Sequence, residues 1–302
     1  MDRRIPSLRS VLLAASAVLV LVHQITIHLG YRHWMLDVWS HFQLQILVVA
    51  VPIAVGTSIV TRSKPYAVLS TCYLFLLAVW VFGGTNWSSS DVHVERNIDL
   101  YYQNVQYDSD PASQQDFAER IVDYGASVVA LVEPSPALVR AVSLLRGEEP
   151  LIYQHLGNRS CVVFGPEADV LDRFVVRADD HDPMCVVRFT SYDLYVAHPL
   201  PPLGSNRYAR QDRFFAMQSE YIEESVAAGR DWLVVGDFNS TKYSSLFRRY
   251  FGAYVTAQYY SWASFGLLMI PIDHAFGSLQ HRGYLYPAYV SDHHGIGITF
   301  TD

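Results

Sequence analysis

The 302-residue chain divides into two parts by its pattern of apolar and polar positions. The first part holds three long apolar runs, whereas short apolar runs alternate with polar segments in the second. The long runs lie at about 10–29, 43–61 and 66–84. Each has about the length that a helix needs to cross a hydrocarbon core of roughly 30 Å. The pattern therefore predicts a membrane anchor of three transmembrane helices over 1–90, followed by a second domain over 91–302.

Basic residues predict how this anchor is oriented. They stand before the first run and between the second and third runs, as Arg3, Arg4, Arg9, Arg62 and Lys64. Because basic loops stay in the cytoplasm, three crossings would place the 30–42 loop and everything after the third helix outside. We expect a multi-pass protein of the cell (inner) membrane with an extracytoplasmic second domain, joined by a short polar linker at 85–95. A signal peptide in the first run is the alternative, which the two further runs disfavour.

The second domain alternates short apolar runs with amphipathic stretches. Strands are predicted at 98–106, 127–132, 151–154, 160–164, 184–190, 192–197, 232–236 and 295–300, and helices at 113–124, 136–145 and 209–228. Alternating strands and helices on this scale predict an α/β fold of two packed sheets flanked by helices.

Several predicted strands end in a side chain that can bind a metal or move a proton. The five groups are Glu133, His198, Asp237-Phe238-Asn239, Asp273-His274 and Ser291-Asp292-His293-His294. A single one would be read as a turn, in which Asp and Asn are common. Burying a carboxylate beside a sheet is costly unless the carboxylate is paired or bound to a cation. Five such strand ends therefore predict one shared polar pocket.

The residue types in this pocket restrict its chemistry. The sequence has no G-x-S-x-G nucleophile turn and no G-x-x-x-x-G-K-[ST] nucleotide loop. Carboxylates, carboxamides and histidines remain. Oxygen ligands of this kind favour Mg²⁺ or Mn²⁺, and a histidine oriented by an aspartate transfers protons or stabilises charge. The set fits attack of water on a phosphoester.

Three cysteines leave one structural question open. Cys72 lies in the third apolar run, whereas Cys161 and Cys185 lie in predicted strands. In an exported domain these two would be able to form a disulfide, which the sequence alone leaves undecided. Zinc is disfavoured because the sequence has no CxxC pair and no close His–Cys cluster.

Charge separates the two parts of the chain as well. The first 90 residues carry six basic and two acidic groups, and the second domain carries 16 basic and 27 acidic groups, a net charge of −11. Its one lysine is Lys242. An acidic surface repels polyanions. Nucleic acid is therefore a possible but not a favoured partner.

The order of the polar groups along the chain is informative in itself. Asn104 ends the first predicted strand, and after it come Glu133, His198, Gly236-Asp237-Phe238-Asn239, Ile272-Asp273-His274 and Ser291-Asp292-His293. With these motifs in this order, residues 96–302 resemble the endonuclease/exonuclease/phosphatase superfamily, whose fold is shared by DNase I-like nucleases, inositol polyphosphate phosphatases and neutral sphingomyelinases. The resemblance implies a DNase I-like four-layer α/β sandwich of two mixed sheets, preceded here by three transmembrane helices.

The resemblance also implies a metal centre. Glu133 would be the principal ligand of Mg²⁺ or Mn²⁺, and Asn104 would lie close to the metal. Asp292 would be a further ligand or would hold a water. The alternative for Asn104 is a plain turn residue. The neighbouring His274 and His294 are interpreted as structural.

The same resemblance implies catalytic roles for five residues. Asp237 would orient or deprotonate the attacking water, and Asn239 would hold a phosphate oxygen. His293, oriented by Asp273, would contact the scissile phosphate. His198 would stabilise charge on the phosphoryl group, with a plain loop residue as the alternative.

These observations predict a membrane-anchored phosphoester hydrolase that acts on a lipid or small-molecule phosphoester, with membrane lipids as partners of its helices. An extracytoplasmic nuclease acting on DNA or RNA is the alternative, which the acidic charge disfavours. A third interpretation is a membrane-bound sensor that has kept the fold and lost activity. The retention of all the polar strand ends argues against it.

Overall fold

The chain separates into two units by its internal contacts. The computed structural model describes residues 7–62, 64–82, 86–87, 95–105, 111–178, 182–254, 257–259, 261–264, 268–288 and 291–301. One unit, the helical unit, comprises Met1–Thr85 and Tyr243–Leu246. The other, the α/β unit, comprises Asn86–Lys242 and Phe247–Asp302.

The helical unit follows the apolar runs of the sequence. Its helices are α1 (Leu8–Leu29), α2 (Trp34–Ser40), α3 (Gln43–Thr61) and α4 (Lys64–Phe82). Ser7 caps α1 by accepting a hydrogen bond from the backbone N–H of Ser10. The helices α1, α3 and α4 match the three predicted apolar runs. The last two residues of the third run, 83–84, lie outside the described part of the chain. The short α2 lies in the segment predicted as a loop.

A membrane-spanning helix has a minimum length and apolar content. Among the described residues, no single helix meets both requirements; the pair Trp34–Ser40 and Gln45–Thr61, bent by 73° at the break between them, meets them only in combination, by length and composition.

The α/β unit contains two large mixed sheets. Its strands are β1 (Asn86–Trp87), β2 (Leu100–Asn104), β3 (Val128–Val132), β4 (Ile152–Gln154), β5 (Cys161–Phe164), β6 (Val170–Ala178), β7 (Asp182–Phe189), β8 (Tyr192–Ala197), β9 (Asp231–Asp237), β10 (Ala257–Gln258), β11 (Trp262–Ser264), β12 (Leu268–Ile270), β13 (Asp273–Gly277), β14 (His281–Tyr286) and β15 (Gly295–Phe300). One sheet has the order β14-β15-β2-β3-β5-β4 and the other β13-β9-β8-β7-β6. Within them β2 and β3, and β8 and β9, run parallel.

Apolar side chains of both sheets form the central core. Tyr102 and Val163 come from one sheet and Leu194 and Val235 from the other, and all four are buried in one cluster. A disulfide between Cys161 on β5 and Cys185 on β7 links the two sheets through this core. The question that the sequence left open is thereby answered.

Helices cover the outer faces of the sheets. They are α5 (Pro111–Asp123), α6 (Pro136–Arg146), α7 (Ser205–Ala227) and α8 (Ser245–Phe251). Phe117 of α5 and Leu138 of α6 are buried against the first sheet, and α7 packs on β6 and β9 of the second. The predicted α/β fold of two packed mixed sheets flanked by helices is confirmed.

Several short elements escaped the sequence prediction. The edge strand β6 is largely exposed, so it lacks the buried run that marks the inner strands. The strands β11, β12, β13 and β14 are at most six residues long and show no clear alternation of apolar and polar residues. Most of the predicted linker at 85–95 lies outside the described residues, and Asn86–Trp87 within it pairs in parallel with Ala257–Gln258 rather than forming a free connection.

Candidate active site

Strand ends bring the predicted site residues to one edge of the α/β unit. Asn104 and Glu133 stand at the same end of the parallel neighbours β2 and β3. His198 and Asp237 stand at the same end of the parallel neighbours β8 and β9. Asp273 opens β13 and pairs in register with Asp237. Ligands of α/β sheets bind beyond the carboxyl ends of such strands.

Several site residues contact the side chain of Asp237. Its buried carboxylate accepts a hydrogen bond at Oδ1 from the backbone N–H of Asn239 over 2.8 Å. Oδ2 accepts one from Nδ2 of Asn104 over 2.9 Å. The same Oδ2 lies 3.8 Å from Nε2 of His198 and 3.7 Å from Nε2 of His293. Four predicted site residues therefore converge on one carboxylate.

His293 and Asp273 form a buried pair. Nδ1 of His293 donates to Oδ2 of Asp273 over 2.7 Å. Burial acts to lower the pKa of His293, but the charge and hydrogen bond of Asp273 outweigh burial and raise that pKa to about 10. Burial acts to raise the pKa of Asp273, but the charge and hydrogen bonds of its neighbours outweigh burial and lower it. The pair is thus an imidazolium beside a carboxylate at neutral pH.

Glu133 and His198 face each other from the two sheets. Oε1 of Glu133 lies 3.3 Å from Nε2 of His198. Burial is the main cause of a lowered pKa for His198, so this imidazole is neutral at pH 7. Its Nδ1 is buried and has no hydrogen-bond partner among the residues that the structure describes.

Two site residues adopt a backbone conformation that side chains disfavour. Glu133 has a φ of 57° and Asn239 a φ of 49°, both in the left-handed region. The backbone N–H of Glu133 donates to the carbonyl of Ser160, and Nδ2 of Asn239 donates to the carbonyl of Pro199 over 3.0 Å. Such strain is of order 1–3 kcal/mol per residue and clusters at functional sites.

Asp292 stands at the open side of the site. Its side chain is 43% exposed, and Oδ1 lies 3.7 Å from Nε2 of His293. Oδ2 accepts a hydrogen bond from the indole N–H of Trp262 over 2.7 Å. Asp292 is therefore within reach of a substrate that also contacts His293.

The acidic groups of the site suit a divalent cation. Glu133 and Asp237 each place an oxygen within 3.8 Å of the same nitrogen of His198. Burial, with the nearby Asp273, raises the pKa of Asp237 to about 6, the mark of carboxylates crowded away from water. Because Nδ2 of Asn104 donates to Asp237, its amide oxygen is the atom suited to a cation. The donor set fits Mg²⁺ or Mn²⁺.

A second grouping offers metal-ligand atoms but fits less well. Atoms of Asp237, Asp273 and His293 lie within 4.8 Å of one another. The hydrogen bond between His293 and Asp273 already engages Nδ1 and Oδ2, and a protonated imidazole binds no metal. The carboxylate oxygens on the side of Glu133 are therefore the better-suited ligand atoms for a cation.

Sequence reasoning missed four residues that support the site. Tyr102 donates to Oδ1 of Asp273 over 2.9 Å, and Ser261 donates to Oδ2 over 2.5 Å. Gln103 donates to the carbonyl of His293 over 2.7 Å, and Trp262 holds Asp292. The position of Tyr102, two residues before Asn104 and so on the same face of β2, was an available signal.

The two histidines interpreted as structural bond to backbone carbonyls. Nε2 of His274 lies 2.7 Å from the carbonyl oxygen of Ser240, and its ring stacks on Phe247 at 4.5 Å. Nδ1 of His294 lies 2.9 Å from the carbonyl oxygen of Tyr286. These contacts orient the chain around the site and agree with a structural role.

The α/β unit is similar to proteins of known family and structure. The profile described as "Endonuclease/Exonuclease/phosphatase family" matches residues 100–293. A truncated Caenorhabditis elegans TDP2 is 13% identical, with a TM-score of 0.54, over 68% of this chain and 97% of that one. D. rerio TDP2 complexed with single strand DNA product is 16% identical, with a TM-score of 0.55, over 67% and 98%.

A phosphatase has a similar fold as well. The mannosyl-6-phosphatase Bt3783 of Bacteroides thetaiotaomicron is 9% identical, with a TM-score of 0.50, over 67% of this chain and 99% of that one. A search of curated proteins found no match. At these identities the structural matches establish the fold alone.

Proposed function

The chain belongs to the endonuclease/exonuclease/phosphatase family, and from that premise we propose that it is a membrane-anchored, divalent-metal-dependent phosphoester hydrolase that directs water at a lipid or small-molecule phosphoester. The observation that carries this proposal is the convergence of Asn104, His198 and His293 on the buried carboxylate of Asp237. Groups that orient water, carry protons and neutralise a phosphoryl group thus lie side by side.

Asp237 is the group that orients the attacking water. Its pKa of about 6 leaves it largely ionised at neutral pH, where it accepts a proton. The backbone N–H of Asn239 and the amide of Asn104 fix the direction of its two oxygens. A water on this carboxylate is held for attack rather than left to rotate freely.

The two histidines supply charge and protons to the phosphoryl group. His293, protonated and fixed at Nδ1 by Asp273, presents its Nε2–H as a cationic donor. His198 adds a neutral imidazole on the side of Glu133. Donors fixed in this way stabilise charge that develops on phosphate oxygens.

A cation bound beside these groups would complete the site. Glu133 and Asn104 would hold it, with Asp292 as a further ligand or water-holder at the open side. A bound Mg²⁺ or Mn²⁺ supplies Lewis-acid polarisation and neutralises phosphate charge.

Features of the helical unit and of the cysteines support anchoring with an extracytoplasmic α/β unit. Of the 27 exposed large apolar side chains among the described residues, 21 lie between Leu8 and Val79, which fits a surface that faces lipid. The positively charged turn at Arg62 and Lys64 favours a cytoplasmic position for that turn. The disulfide between Cys161 and Cys185 is typical of an oxidising compartment.

A nuclease acting outside the cytoplasm is the second candidate. A fold relative has been solved with a single strand DNA product, which favours this reading. The net charge of −11 and the single lysine, Lys242, weigh against tight binding of a nucleic acid backbone.

A parallel assay of the purified full-length chain in detergent tests the proposal. The substrates are bis-4-nitrophenyl phosphate, phospholipid vesicles and single- and double-stranded DNA, each with Mg²⁺ or Mn²⁺, and His293→Ala is the control. We expect wild-type-only cleavage of the small diester or lipid with DNA intact. Efficient DNA cleavage would establish the nuclease instead, and no cleavage of any substrate would leave the fold without the proposed activity.

A further inference from the structure

Trp262 lies at the open side of the candidate active site. Its side chain is partly exposed, and the centroid of its ring lies 6.4 Å from that of the His293 imidazole, with 37° between the two planes. The indole N–H donates to Oδ2 of Asp292 over 2.7 Å. Because tryptophan has a single donor, the ring offers a ligand its π surface. An aromatic ring and a carboxylate thus stand together beside the histidine to which the proposed function assigns the phosphate.

Neighbouring contacts hold this aromatic ring in place. Trp262 pairs with His293 in an isolated antiparallel bridge. The carbonyl of Ser261 accepts a hydrogen bond from the backbone N–H of His294 over 2.7 Å, and the hydroxyl of Ser261 donates to Asp273. The strand that begins at Trp262, β11, is also paired with β12. The ring therefore has a fixed position relative to His293.

The carboxylate of Asp292 brings a negative charge to the same place. The side chain is 43% exposed, and Oδ1 lies 3.7 Å from Nε2 of His293. His293 pairs more closely with Asp273, over 2.7 Å, so one imidazole lies between two carboxylates. No arginine or lysine among the described residues forms an ion pair with Asp292. A ligand that reaches Trp262 therefore meets an acid that is not paired with a guanidinium or an ammonium group.

A π surface beside a carboxylate favours an organic cation over other substrate groups. The face of an indole attracts ammonium groups, including quaternary ones, and Asp292 adds the opposite charge. The same carboxylate would repel a second phosphate. A neutral apolar group would pack on the ring but would gain nothing from Asp292. Trp262 and Asp292 together therefore discriminate by charge as well as by shape.

We propose that Trp262 and Asp292 bind an organic ammonium group on the alcohol part of the substrate, so that the preferred substrates are phosphoesters of amino alcohols. An amino alcohol places its ammonium group two carbons from the esterified oxygen, which suits the short span between His293 and Trp262. The role proposed for Asp292 toward the divalent metal is compatible with this, because the indole uses Oδ2 rather than Oδ1. This inference rests on the proposed function, since it names the substrate class of the same site.

Calorimetric titration of the full-length chain tests the inference without relying on turnover. The detergent carries no ammonium group, and the concentration of free Mg²⁺ is constant. The probes are phosphocholine and 3,3-dimethylbutyl phosphate, which has the same shape but a neutral carbon in place of the quaternary nitrogen. We expect wild type to bind phosphocholine about tenfold tighter. Trp262→Leu should bring the two affinities within about twofold, whereas Trp262→Phe, which keeps an aromatic face, should retain a preference of about threefold.

The matched control is Tyr254→Leu, which makes the same kind of change at a 38% exposed ring that packs on Trp232 near the start of β9. It should leave the preference for phosphocholine unchanged. Asp292→Asn keeps the shape of the side chain and removes its charge, so the preference should fall. This variant decides the matter if Trp262→Leu fails to fold.

No preference in wild type, or an undiminished preference in Trp262→Leu or Asp292→Asn, would overturn the inference. Hydrolysis of bis-4-nitrophenyl phosphate is measured on the same samples. Its absence would count against the proposed function, whereas the titration decides the ammonium site by itself.

Discussion

The helical unit and the α/β unit distribute polar and apolar side chains in opposite ways. In the α/β unit, apolar residues fill the space between the sheets, and polar residues converge on one edge. In the helical unit, Leu69 is 71% and Val48 65% exposed, whereas Thr26 and Thr57 are buried and donate to backbone carbonyls. An apolar run therefore marks a core in one unit and a surface in the other. The apolar content of 51% for the whole chain therefore does not show where apolar side chains lie in either unit.

The largest expected effect comes from neutralising the carboxylate at the centre of the polar edge. Asp237→Asn removes the group that accepts a proton from water, so kcat/KM on bis-4-nitrophenyl phosphate should fall by about 10³-fold. Asp231→Asn is the control, because it makes the same change at the other end of β9, where Asp231 bonds to Ser278. Equal activities of the two variants would show that the convergence at Asp237 carries no chemistry.

The surfaces of the two units are compared by replacing one exposed leucine in each unit with aspartate. Leu69→Asp in α4 should reduce recovery in the membrane fraction, because a lipid-facing acid costs about 2.5–3.5 kcal/mol near a helix centre. Leu144→Asp in α6, where the leucine is 83% exposed, should change nothing. Membrane fractionation with carbonate washing provides the measurement. If both variants behave like wild type, the apolar surface of the helical unit does not face lipid.

The disulfide tests whether the core of the α/β unit is stabilised by a link that the helical unit lacks. Replacing Cys161 and Cys185 by alanine removes the link between the sheets and should lower the free energy of unfolding by about 2–4 kcal/mol. Urea unfolding with and without reductant measures this. Cys72→Ala, which changes an exposed cysteine of α4, should leave the unfolding midpoint unchanged. Insensitivity of the wild type to reductant would contradict a stabilising bond.

The smallest expected effect is on the pH profile of activity, which tests the charges of Asp237 and His293. Activity should fall below about pH 6, where Asp237 becomes protonated, and near pH 10, where His293 loses its proton. Asp273→Asn removes the charge that raises the pKa of His293, so the alkaline midpoint of kcat/KM should move to lower pH. An alkaline midpoint that stays in place would mean that His293 is not the group observed.

Much of the fold and the site could be predicted because the signals are local. Mainly apolar runs mark β3, β8 and β9. Glu133 and His198 directly follow the first two strands, and Asp237 is the last residue of the third. A buried inner strand and the polar residue at its end are both visible in fewer than ten consecutive residues. Short sequence motifs were therefore enough to predict which residues lie together in the candidate active site.

Other contacts between residues far apart in the chain could not be predicted, because they leave no local pattern in the sequence. Tyr102 and Asp273 are 171 positions apart and meet only because their two sheets pack against each other. Ser261 and Trp262 come from a short segment without periodicity, and Arg159 and Arg210 meet through Asp182. Side-chain partners of this kind follow from tertiary packing rather than from a local pattern.

The central claim is that the converging strand ends hold a divalent cation that hydrolysis requires. The most direct measurement strips the full-length chain with EDTA and follows 4-nitrophenolate release from bis-4-nitrophenyl phosphate as Mg²⁺ or Mn²⁺ is returned. We predict no activity without metal, full recovery in wild type, and a metal midpoint raised by about tenfold or more in Glu133→Gln. Glu167→Gln, at an exposed ion pair, should match wild type. Undiminished activity in EDTA, or equal midpoints for Glu133→Gln and wild type, would contradict the account.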